Sequence, residues 1–219
     1  MSSKAKLRAI VFDFDGVILE SGDVKTDAFI ELFAEHGPEV QARVREHHLE
    51  NLGVSRFKKF SWIYENVLRA PLSDDDSKAL GDRFSSLALD KVMTSPFVPG
   101  AREALVALAS RYPMFVASGT PQGELDMIVA RRELASLFRE VHGTPAEKPE
   151  IITGIMQRHS LSPSEVLFIG DGTSDHKAAV VTGVEFLARD TPPMADHWKG
   201  LGVMLRPDLT DLVAVVEGW

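Results

Sequence analysis

Two aspartates stand two residues apart at the end of an apolar run, in Ile10–Ser21, IVFDFDGVILES. Residues two apart on a strand share a face, so Asp13 and Asp15 would lie side by side where the strand ends. That end is the edge at which open α/β sheets hold ligands. Two buried like charges repel, and a bound cation turns that repulsion into attraction. Gly16 then permits a tight turn or a close backbone approach. An EF-hand loop fits badly, because the glycine falls too early and the closing glutamate is missing. Read alone, the stretch is equally a strand ending in a solvated Asp-x-Asp-Gly turn.

Three further groups could act with this pair. Ser118-Gly119 and Asp171, with Asp175, follow apolar runs at Met114–Ala117 and Val166–Ile169, and Lys148 lies between them. Each has an ordinary reading: Ser118 caps a helix, Lys148 is a loop charge, and Asp171 and Asp175 open a helix. In a parallel sheet, however, the strand ends converge on one rim. The joint set suits phosphoryl transfer through a carboxylate. A hard cation such as Mg²⁺ takes carboxylate oxygens, here from Asp13 and Asp171 with the Asp15 carbonyl. Asp13 can attack phosphorus and Asp15 can exchange protons with the leaving oxygen and with water. Ser118 and the Gly119 amide would bind phosphoryl oxygens, and Lys148 would offset charge on the phosphate and on Asp13.

The elements needed to position these groups are legible. After Ser21 the period changes to that of helices: 23–36, 39–51, Ser55 to Arg69, and a longer helix opening at Ser73-Asp74-Asp75-Asp76 and reaching Met93. Some seventy residues thus pass without a strand, between joints near Gly22 and Ser95–Gly100. From Pro99 helices and strands alternate: helix 99–111, strand 114–117, helix 122–132, a short strand 140–142, a helix from Lys148 to His159, strand 166–169, helix 173–182, strands 184–188 and 203–205, and a last helix 208–217. The expected fold is α/β, a doubly wound parallel-sheet, Rossmann-like core at 1–20 and 96–219, with a helical-bundle cap inserted at 21–95.

Composition sets bounds. The 219 residues are 44% hydrophobic and carry a net charge of −8, which argues against nucleic-acid binding. With no cysteine there is no disulfide framework, thiolate metal site or thiol nucleophile. The opening MSSKAKLRAIVF has positive charge before apolar residues, but Asp13 and Asp15 interrupt it before a signal-peptide core forms. No apolar run is long enough to span a bilayer, so a cytoplasmic location without membrane partners is the expectation. Oligomeric state is not legible.

Taken together, FDFDGV at 12–17, ASGT at 117–120, Lys148-Pro149 and GDGTSD at 170–175 resemble the haloacid dehalogenase-like hydrolase superfamily. The similarity is to its subfamily I, in which a helical, C1-type cap follows the first strand, and to its phosphoglycolate phosphatase-like and β-phosphoglucomutase-like members. The resemblance implies Asp13 as nucleophile, Asp15 as acid/base, Ser118 and Lys148 as phosphate contacts, Asp171 as a metal ligand and Asp175 as a supporting carboxylate. It also implies Mg²⁺ as cofactor and a small-molecule phosphate ester as partner, with a sugar phosphate or a phosphoglycolate-like acid as the expected substrate.

Within the family, Asp15 argues for phosphate esters, because the dehalogenases lack it. A phosphonate-cleaving relative uses a cap lysine to form an imine. Lys58 or Lys59 could serve, but the sequence gives no sign of a lowered pKa at either. Gly53-Val54-Ser55-Arg56 is similar to a loop with which phosphosugar mutases grip a distal phosphate. Gly170 speaks for a phosphatase, since the mutases carry an acidic residue there. A mutase is therefore the alternative, and a catalytically silent binding domain a third reading that the intact motifs disfavour. Residues 41–60 hold five Arg/Lys against two Glu. Arg56 is the candidate substrate contact, because a guanidinium binds anions in bidentate fashion. His47 and His48 are expected to be surface or cap-packing residues rather than metal ligands, and Phe57, Phe60, Trp62 and Tyr64 to form cap core.

Overall fold

The computed structural model describes residues 6–219; residues 1–5 of the expected core segment lie outside that range. Six parallel strands form one sheet in the order β3-β2-β1-β4-β5-β6. They are β1 (Ala9–Phe12), β2 (Met114–Pro121), β3 (Glu140–Thr144), β4 (Val166–Gly170), β5 (Glu185–Arg189) and β6 (Met204–Arg206). β1 lies inside the sheet, and all four of its residues are buried, as a strand covered on both faces requires.

Alternate residues build the two faces. Ile10, Phe12, Met114, Val116, Leu167 and Ile169 pack with α5 (Ala101–Ala109), α6 (Gln122–Arg131) and α9 (Leu212–Glu217). Val11, Phe115, Ala117 and Phe168 face Ile151, Ile152 and Ile155 of α7 (Lys148–Arg158) and Ala178 and Ala179 of α8 (Thr173–Thr182). This is the expected doubly wound α/β architecture.

Between β1 and α5 run four helices: α1 (Gly22–Leu32), α2 (Pro38–Glu50), α3 (Arg56–Ile63) and α4 (Asp74–Thr94). Phe29, Phe60 and Phe84 from three of them meet at ring separations of 4.7 to 6.4 Å. The Ser73 hydroxyl accepts the Asp76 amide at 3.1 Å, and three aspartates fill the first turn of α4, as its sequence predicts.

Three expectations need correction. The helix read from Ser55 to Arg69 stops at Ile63 and continues as a π-helical turn over Tyr64–Leu68, ending at Arg69 with φ 54°. Phe57 is not core: it is 38% exposed and lies over Gly81, while Trp62 and Tyr64 are only partly buried. The last helix starts at Leu212, because Asp208 accepts both the amide and the hydroxyl of Thr210 and holds that stretch as a turn. Among the described residues, no helix is long and apolar enough to cross a membrane.

At the opposite edge of the sheet, where β3 begins, Glu140 receives Arg158, His142 and His159. Burial alone would raise its carboxyl, but these three hydrogen bonds outweigh that and bring it down to about 2 from its ordinary 4.5. A depressed carboxyl stabilises the fold above its unfolded pKa and loses that contribution as pH falls. Glu140→Gln should therefore melt below the parent at neutral pH, with the gap closing between about pH 4.5 and 2. A gap that stays constant through acid titration by circular dichroism would show that the cluster is not stabilising.

Candidate active site

Parallel registry assembles the site. Phe12 stands beside Val116 of β2 and Ile169 of β4, so the next residues of all three strands emerge together at their C-terminal rim. The Asp13 amide donates to the Ile169 carbonyl at 2.8 Å, which fixes it there. Carboxylate oxygens of Asp13, Asp171 and Asp175 come within 4.8 Å of one another, and all three residues are buried.

Lys148, at the start of α7, enters this cluster. Its ammonium donates to Asp13 Oδ2 at 2.9 Å and to Asp175 Oδ1. Burial would depress that lysine, but Asp13 and Asp175 lift it above the usual lysine range. Burial, then the charge of Asp175, pushes Asp13 up to about 7 despite Lys148. Burial and Asp13 likewise raise Asp171 well above the carboxylate range. Asp175 accepts the Asp171 and Gly172 amides at 3.2 and 3.0 Å, so it orients the turn that carries Asp171.

Gly16, at φ +76°, lies so close to Asp171 that a Cβ there would stand 2.0 Å from Oδ2. The glycine after the second aspartate is therefore a requirement of Asp171 rather than of the turn alone.

Asp15 points away from the cluster. It accepts Ser21 Oγ at 2.7 Å, Thr120 Oγ1 at 2.8 Å and the Lys25 ammonium, which also donates to Thr120 Oγ1. Burial opposes its ionisation, yet Lys25 and the two hydroxyls prevail and hold it below the usual range. Lys25 and Thr120 were not singled out by sequence reasoning. Nothing in the local pattern of α1 marks Lys25, which comes to Asp15 only when that helix docks.

Asp13, Asp15, Asp171 and Gly119 line a cavity of about 50 Å³ together with Lys25, Phe29, His48, Arg56, Lys59 and Phe84. Ser118 and Lys148 line an adjoining groove of about 520 Å³, which meets the cavity at Gly53, Val54 and Gly119. The Ser118 oxygen accepts the Thr120 amide at 3.1 Å, leaving its O–H to donate.

Arg56, expected to touch substrate, lines the cavity with its fork already filled. Both arms bind Glu124 of α6, at 2.9 and 2.7 Å, and the guanidinium lies 4.4 Å from the centre of the Phe84 ring. Ser85 joins the same carboxylate at 2.6 Å.

Lys59 is buried in the cavity wall, 3.0 Å from His48 Nδ1. Burial, then Lys25, lowers it to about 7, a depression that its sequence surroundings do not signal. His48 packs inside the helical insertion rather than on its surface, 4.6 Å from the Phe29 ring; burial and Lys59 hold it well below the usual histidine range. His47 stacks on Trp62 at 3.6 Å.

The family described as haloacid dehalogenase-like hydrolase matches residues 10–189 of this chain. The phosphoglycolate phosphatase of Synechococcus elongatus is 25% identical over 181 residues, 81% of each chain. The phosphonoacetaldehyde hydrolase of Pseudomonas aeruginosa is 28% identical over 141 residues, which span 59% of this chain and 50% of that one. Among solved structures, the β-phosphoglucomutase of Clostridium difficile superposes with a TM-score of 0.77 at 15% identity, covering 96% of both chains. At that identity the likeness is one of fold.

Proposed function

Since this chain belongs to the haloacid dehalogenase-like hydrolase family, we propose that it hydrolyses the phosphate monoester of a small metabolite through a phosphorylated Asp13. The observation that carries this reading is the buried cluster of Asp13, Asp171 and Asp175 around Lys148, with Asp15 set apart from it. The core would comprise residues 1–20 and 96–219, and the cap 21–95.

Asp13 and Asp171, with the Asp15 carbonyl, offer the hard oxygen donors that Mg²⁺ prefers, and the raised carboxyls of Asp13 and Asp171 mark negative charge that Lys148 leaves unmatched. When bound, the cation supplies positive charge against the carboxylates and the phosphoryl oxygens. Asp175, held by two backbone amides and Lys148, positions rather than ligates.

In the first step Asp13 attacks phosphorus, and the bond to the leaving oxygen breaks. That oxygen is protonated through Asp15, to which the Lys25 ammonium donates. Water then attacks phosphorus and gives its proton back to Asp15; the bond to Asp13 breaks and inorganic phosphate leaves. Lys148, Ser118 and the Gly119 amide offset charge on the phosphoryl oxygens.

A mutase, like the β-phosphoglucomutases, would hold a second phosphate in the cap. The cap arginine that the sequence offers for this, Arg56, is engaged by Glu124. That favours hydrolysis.

A phosphate-release screen over small esters, with Mg²⁺ and with EDTA, tests the reading. Release from at least one ester is expected, falling at least on the order of 100-fold with chelator. Isomer without free phosphate, or release indifferent to EDTA, would reject it.

A further inference from the structure

Three cations line the cavity that holds the reactive carboxylates: Lys25, Arg56 and Lys59. Asp15 matches the first and Glu124 the second. Lys59 is different. It is 3% exposed and, among the described residues, makes no ion pair. Its Nζ meets His48 Nδ1 at 3.0 Å, with the His48 carbonyl at 3.5 Å and the centre of the Phe29 ring at 5.3 Å.

His48 is equally buried, and its Nε2 has no hydrogen-bond partner. With Nδ1 accepting from Lys59, the ring proton sits on that Nε2. A buried amine that makes no ion pair and a buried N–H without an acceptor are both costly. The first of these costs falls when an anionic group enters the cavity beside Lys59. The cavity is small and walled by Phe29 and Phe84, so beyond the phosphate it admits only a few heavy atoms.

We propose that Lys59, backed by His48, determines the specificity of this site by binding a carboxylate on the leaving group, so that the preferred substrate is the phosphate ester of a short hydroxy acid. This rests on the phosphatase reading above. Arg56 offers no opening for a second phosphate while Glu124 fills it.

The test compares 2-phosphoglycolate with 2-hydroxyethyl phosphate, an ester of equal length in which hydroxymethyl replaces the carboxylate. With Mg²⁺, wild-type kcat/KM should favour the carboxylate roughly 10- to 100-fold, the worth of one charge-assisted hydrogen bond. Lys59→Gln should bring that ratio near one, chiefly through KM. His48→Gln, a second variant should the first fail to fold, should lower it severalfold. Equal wild-type rates on the two esters, or a ratio that survives both substitutions, overturns the proposal while leaving the phosphatase reading standing. Phosphate release from no ester at all overturns both. A borohydride-trapped adduct of phosphonoacetaldehyde on Lys59, without carboxylate preference, would assign the amine to imine chemistry and overturn it too.

Discussion

Asp13→Asn is expected to lose on the order of 10⁵-fold in turnover while the protein stays folded. The amide is nearly isosteric but a poor nucleophile, so no phosphorylated intermediate forms. Stability should move the other way. Burial and Asp175 raise the Asp13 carboxyl from 3.8 to about 7, so in metal-free protein its ionisation weakens the fold progressively across that interval. Asparagine has no charge to pay for there, and Lys148 keeps Asp175 as its partner. The variant should therefore melt no lower than the parent at pH 7 in EDTA. Single-turnover phosphate release and calorimetry report the two halves separately. Retained turnover would remove Asp13 from the role of nucleophile.

The second large effect concerns Glu124. Truncation to alanine leaves the Arg56 guanidinium 6% exposed with no carboxylate, and removal of one partner from a buried pair costs about 3–5 kcal/mol. For a chain of this length that corresponds to a fall of roughly 10 °C in melting temperature. Arg56→Met with Glu124→Met should recover most of it, because an apolar pair of similar volume leaves no charge stranded. If Glu124→Ala melts with the parent, the pair contributes nothing to holding the helices of the insertion against α6.

The sheet and its rim were legible because both follow from short-range rules. Apolar runs at 10–12, 114–117 and 166–169 read as buried strands, and a parallel sheet brings their ends together whatever lies between. Asp13, Ser118 and Asp171 could thus be placed without knowing how any helix packs, whereas Lys148 comes in on the first turn of α7. The insertion obeyed no such rule. Phe57 and Phe60 share a helical face, yet Phe60 is buried and Phe57 half-exposed, since only docking of α4 decides how far the core extends. Arg56 has the right chemistry for an anion and finds one in Glu124, 68 residues away. Lys59 carries no local sign of its burial. Lys25 reaches Asp15 and Thr120 only through the seating of α1.

The turn bearing Asp171 and the first turn of α8, which bears Asp175, have a second duty. The Thr173 hydroxyl donates to the Glu50 carbonyl at 3.0 Å and the Ser174 hydroxyl to the Leu52 carbonyl at 2.9 Å. Gly53, next along, is backed so tightly that a Cβ would stand 2.3 Å from Ser174 Oγ and 2.7 Å from Lys148 Nζ. The clasp that fastens the roof is thus built from the same few residues as the charged floor. A substitution at Thr173, Ser174 or Gly53 therefore acts at once on how the helical insertion is seated and on the buried carboxylates.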